Sequence, residues 1–170
     1  MKYTPPMKPV TLNDEVVKLI NKSIGYEYQS HLFWNAAASW CATAGYNKAA
    51  AYYAKESMSE LEHVKTLQDF LIGWNVVPTV PQVPTAYKFE SLADTINQSY
   101  GLMLDIFNDY VAKSQQLFAI DLSTFDFLQQ FTLIQIEALD TYSSILSGLE
   151  LVDYNNKLDV LFFESKYFKI

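Results

Sequence analysis

Apolar residues recur every three or four positions over four long stretches of this chain and one short one, with turn-forming residues between them. Residues 12–43 carry the stripe Val16, Ile20, Ile24, Glu27, His31, Trp34 and Ala38. Thr11 with Asp14 three positions on reads as a capping box, and Gly45 as the stop. Residues 47–72 carry Tyr53, Glu56, Glu60, His63, Leu67 and Phe70, opened by Asn47 and closed by Gly73. A third stretch, 91–119, opens on Ser91 and shows Ile96, Tyr100, Met103, Phe107 and Tyr110, all apolar or aromatic. The fourth, 123–147, follows a cap at Asp121 or Ser123 and ends at Gly148. Residues 155–168 suit a short fifth helix. The first ten residues carry Pro5, Pro6 and Pro9 and read as an extended lead-in. Between the second and third stretches, 73–90 carries Pro78, Pro81 and Pro84 and is long enough to cross a bundle end to end. This order predicts one all-α domain over 1–170: an up-down-down-up four-helix bundle with one long crossover.

Composition narrows the chemistry. One Cys excludes an intrachain disulfide and a cysteine zinc cluster. Two His exclude a three-histidine site within one chain. All 12 basic residues are Lys, and the net charge is -7. An acidic chain without a guanidinium fork is poorly suited to nucleic acid or phosphate. No charge-free run is long enough to span a membrane, and the start has no apolar leader core. A cytoplasmic protein with no membrane or nucleic-acid partner is the expectation.

Charges on apolar stripes are the informative residues, because a buried carboxylate is costly unless it is paired or bound to a cation. Glu27 lies on the first stripe. Glu60 and His63 form an E-x-x-H pair on the second, and i, i+3 residues project together. Two carboxylates and an imidazole from facing helices suit a borderline or hard divalent ion. A lone E-x-x-H is common by chance; its place opposite Glu27 is what gives it meaning. His31, four residues after Glu27, reads either as a core histidine or as a further metal ligand. With only one E-x-x-H, a symmetric centre built from two such motifs is excluded.

On these residues the chain resembles the bacterial non-haem ferritins over essentially its whole length. The likeness is densest from Glu27 to Leu71, in Ser39-Trp40-Cys41, Ala49-Ala50-Ala51 and Ser59-Glu60-Leu61-Glu62-His63. It returns in Thr124-Phe125-Asp126-Phe127-Leu128-Gln129. The resemblance implies a ferritin-like subunit with a short fifth helix, assembled with itself into a hollow shell of about 24 copies. It also implies Fe(II) binding, oxidation by O2 or peroxide, and storage of a ferric mineral. Glu27, Glu60 and His63 fall on the catalytic first iron site, with Glu60 as the bridging carboxylate, and Gln135 falls on a weak fourth-helix ligand. Other positions depart from the pattern. Met103 stands where a third-helix Glu completes the second iron site, and Trp34 where a Tyr flanks the centre. Ala138 stands where a fourth-helix Glu is often found, with Glu137 beside it as a further candidate ligand. Leu61 replaces the haem-binding Met of bacterioferritins, so no haem is expected. The reading is an iron-storage shell with an incomplete ferroxidase centre. Its rival is a non-catalytic shell that mineralises on inner carboxylates.

Overall fold

The computed structural model describes residues 12–169. Thr11 and the proline-rich lead-in lie outside them. Five helices follow in order: α1 Asp14–Ala44, α2 Asn47–Gly73, α3 Leu92–Ile120, α4 Leu122–Leu149 and α5 Lys157–Tyr167. The described residues contain no strand, and none of the helices is long and apolar enough to cross a membrane.

Several helix starts follow from side-chain chemistry. Asn13 accepts a hydrogen bond from Glu15 N at the head of α1. Ser91 accepts from Asp94 N to open α3, and Asp121 from Thr124 N to open α4. Gly45 ends α1 in the left-handed conformation. Two expectations need correction. Asn47 does not cap α2: it is the first residue of that helix. α2 does end at Gly73, and the left-handed residue beyond it is Asn75, with φ 61°. Gly148 lies inside α4, where its missing side chain leaves room for the Tyr167 ring: a Cβ there would sit 2.2 Å from Tyr167 Cζ.

The crossover fixes the topology. Asn21 Oδ1 accepts from Thr79 N, a Cβ on Gly25 would meet Pro81 Cγ at 2.4 Å, and the Tyr87 hydroxyl donates to the Gln29 carbonyl. Phe33 then meets Tyr87 and Phe89 edge-on. The crossover therefore climbs alongside α1 in the same direction. It delivers α3 antiparallel to α1, as the contacts Ser23–Lys113 and Glu27–Tyr110 show. The result is the up-down-down-up bundle that the sequence predicts. α1 packs most closely on α2, and α3 on α4.

The donors at the head of α2 are satisfied from a distance. Glu164 of α5, 5% exposed, accepts from Lys48 N at 2.6 Å and Ala49 N at 3.0 Å. A carboxylate on a helix N-terminus meets unsatisfied N–H groups and the positive end of the helix dipole. Glu164→Ala is expected to cost about 1–2 kcal/mol. Hydrogen exchange should speed up at Lys48 and Ala49 and along α5, while α3 and α4 keep their protection.

Candidate metal centre

Facing stripes of α1 and α2 bring three donor groups together. Glu27 and Glu60 are buried, at 0% and 6% exposure. His63, one turn beyond Glu60, places Nδ1 2.8 Å from Glu60 Oε2 and 3.3 Å from Glu27 Oε2. One ligand atom from each of the three lies within 4.8 Å of the others. The second oxygen of each carboxylate is held by an aromatic donor. Trp34 Nε1 donates to Glu60 Oε1 at 3.1 Å, and the Tyr110 hydroxyl donates to Glu27 Oε1.

Packing locks those donors in place. The Trp34 ring lies between Tyr53 and Tyr142, nearly parallel to both, at 5.6 and 5.7 Å. Tyr110 stacks on Phe131, which also meets the His63 ring edge-on. Helix α4 thus supplies an aromatic backing and no carboxylate to this cluster.

Charge in the centre is shared through protons. Burial pushes Glu60 upward and the neighbouring Glu27 adds to this, so its pKa rises to about 8 despite the opposing pull of His63. Burial disfavours the His63 imidazolium, but hydrogen bonds to Glu27 and Glu60 outweigh it and raise its pKa to about 10. Burial also pushes Glu27 up, yet hydrogen bonds from His63, Glu60 and Tyr110 hold it below the ordinary carboxylate range. In the metal-free protein near neutral pH the imidazolium therefore lies between the Glu27 carboxylate and a protonated Glu60. A divalent ion must displace its proton and the one on Glu60. Two carboxylate oxygens and one imidazole nitrogen suit Fe(II), Mn(II), Co(II) or Zn(II).

The remaining candidates fall elsewhere. Gln135 is buried on the α4 face between Phe131 and Tyr142, and its Oε1 has no hydrogen-bond partner. It does not fix the tautomer of His63. His31 does not join the cluster: its Nδ1 meets the Ser57 carbonyl at 2.8 Å and the Ser57 hydroxyl at 2.9 Å, clipping α1 to α2. Glu137 is exposed on α4, and Ala138 is half-buried. Met103 is buried on α3 between Ser99 and Tyr110.

Sequence reasoning missed the polar residues behind Glu27. The buried face of α3 is not wholly apolar, since it includes Thr95, Ser99 and Lys113. Lys113 is 2% exposed, donates to Ser23 Oγ at 2.8 Å and pairs with Asp109. Burial lowers its pKa against the pull of Asp109. A signal was present: Lys113 continues the Met103, Ile106, Tyr110 stripe and stands four residues after Asp109.

A bundle of this topology with a carboxylate–imidazole cluster between its first two helices is a ferritin-like helical protein. Residues 17–152 match the family described as Ferritin, ferritin-like domain, and the chain belongs to that family. It is 28% identical over 151 residues to a probable bacterial non-heme ferritin-like protein of Haemophilus influenzae, covering 86% of this chain and 90% of the relative. It is 25% identical over 146 residues to a bacterial non-heme ferritin of Escherichia coli, covering 82% and 86%. The fold superposes on an open pore ferritin from the archaeon Archaeoglobus fulgidus with a TM-score of 0.87. That match has 18% identity and covers 93% of this chain and 98% of the other.

Proposed function

We propose that this chain is an iron-storage ferritin subunit that takes Fe(II) as cargo at one site per subunit. The subunits form a closed shell of about 24 copies. The observation that carries the reading is the convergence of Glu27 Oε2, Glu60 Oε2 and His63 Nδ1 at the buried α1–α2 seam. These three atoms hold the ion. The unpartnered, buried Gln135 carbonyl on the neighbouring α4 face is a weak further donor. Family membership and the ferritin relatives support iron as the metal.

The centre is mononuclear on this reading. Bridging through both Glu60 oxygens would compete with the Trp34 hydrogen bond at Oε1. Met103 offers a soft thioether where a second ion needs a hard oxygen. One Fe(II) supplies one electron, whereas reduction of O2 to peroxide takes two, so oxidation in this subunit is slow. The same Trp34–Glu60 bond favours a second reading: a sequestering subunit without ferroxidase activity, mineralising on exposed carboxylates such as Glu137. Assembly is supported by apolar side chains left at the surface of the single chain, with Phe118 65%, Leu122 58%, Leu133 61% and Phe162 70% exposed.

Anaerobic Fe(II) titration should saturate at one tight ion per subunit, and light scattering should report a large closed particle. A stable monomer or dimer at neutral pH would sink the shell, and absence of tight Fe(II) would sink the site. Oxygen uptake at two Fe(II) per subunit separates slow oxidation from none.

A further inference from the structure

The polar groups behind Glu27 form a cluster with no ligand of its own. The Lys113 ammonium donates to Ser23 Oγ at 2.8 Å. Tyr110 donates to Glu27 Oε1. Asp109 anchors the outer end, pairing with both Lys113 and Lys22, and Lys22 reaches solvent. Lys113 also lies over the Tyr110 ring, 5.3 Å from its centroid, and over Tyr26 at 5.1 Å. A lysine at 2% exposure costs desolvation energy, and helix packing does not require one.

We propose that Lys113 is a positioning residue: held by Ser23 and packed over the Tyr110 ring, it keeps the Tyr110 hydroxyl on Glu27 Oε1 and leaves Oε2 as that carboxylate's single ligand atom. This rests on the metal-site reading above and adds metal selectivity to it. A hydrogen bond on one oxygen favours binding through the other. A carboxylate with both oxygens free chelates and raises the coordination number. The Trp34 hydrogen bond restricts Glu60 in the same way from the opposite side. The site therefore presents three single-atom donors, an arrangement that favours small ions of low coordination number such as Zn(II) over Mn(II). Outer partners of ligating groups change metal affinity by about 10–100-fold, so an effect of this kind is measurable.

The test compares Tyr110→Phe, Lys113→Met and Ser23→Ala with the parent full-length protein. Two readouts are taken: the visible absorption of bound Co(II), which weakens as coordination number rises, and the Mn(II)/Zn(II) affinity ratio. The ratio matters because loss of the Lys113 charge raises affinity for all divalent ions alike and cancels in it. Ser23→Ala removes the hydrogen bond that holds Lys113 while keeping every charge and changing little volume, so it serves if the lysine variant fails to fold. Weaker Co(II) absorption and a ratio raised about tenfold in Tyr110→Phe, with a smaller change in the same direction in the other two, is the expected result. Parent-like spectra and ratios in Lys113→Met and Ser23→Ala would overturn the assignment and leave Lys113 a packing residue. A parent that binds no Co(II) would overturn the metal-site reading itself, a distinct outcome.

Discussion

Glu60→Ala should weaken Co(II) or Fe(II) binding by more than 100-fold and halve its dependence on pH. Glu60 gives the closest contact to His63 Nδ1 and one of only three converging ligand atoms. Changes to outer partners already cost up to about 100-fold, so loss of a ligand exceeds that. The pH dependence follows from the raised pKa values of about 8 for Glu60 and about 10 for His63. Below pH 8 both groups hold a proton that the metal must displace. Apparent affinity of the parent should therefore rise about 100-fold per pH unit, falling to about tenfold between 8 and 10. Without Glu60 only the His63 proton remains, and the slope across neutral pH should be about tenfold.

Stability of the metal-free fold should move the opposite way. The stabilisation attached to His63 is full below its unfolded value of about 6.5 and is lost as pH rises through 10. The cost of ionising buried Glu60 grows from its ordinary value of 4.5 up to about 8. Apo protein should thus melt lower at pH 9 than at pH 6, and saturating metal should narrow the gap. A metal affinity in Glu60→Ala equal to that of the parent, at any pH, would remove Glu60 from the site.

The second large effect concerns a second ion. Met103 lies on the buried face of α3, one turn after Ser99, which bonds Tyr53, and two turns before Tyr110, which bonds Glu27. Met103→Glu places a carboxylate there. In the metal-free protein it should cost on the order of 3 kcal/mol or stay protonated. That substitution alone should leave one Co(II) per subunit, because the Trp34 indole still occupies Glu60 Oε1. Combining it with Trp34→Phe removes that donor and frees the oxygen to bridge. The double variant should bind two Co(II) per subunit, recover stability on metal binding and consume oxygen faster with Fe(II). If it still binds one ion, Met103 is only packing and the alignment of the third helix with the second iron site fails.

The helical bundle was legible in the chain because its causes are local. A period of three to four, caps such as Ser91 and Asp121, and prolines between 78 and 84 each act within a few residues, and neighbouring turns report them directly. The E-x-x-H pair was legible for the same reason, since i, i+3 geometry belongs to one helix. Glu27 joined it because a carboxylate on an apolar stripe needs a partner wherever the chain folds.

What the tertiary structure alone decided lies across helices. Glu27 meets Tyr110 at a separation of 83 residues, and Glu164 caps α2 across 116. No local period encodes such a pairing; the crossover and the close fit of Gly25 against Pro81 set the register that makes it. Register also decides which carboxylate oxygen faces the shared space and which is held by Trp34 or Tyr110. It buries Lys113, whose charge is affordable only because Asp109 and Ser23 meet it there. The donor types at this centre were written in the sequence, but the number of their atoms left free for a metal depends on hydrogen bonds that exist only once α1, α2 and α3 are packed.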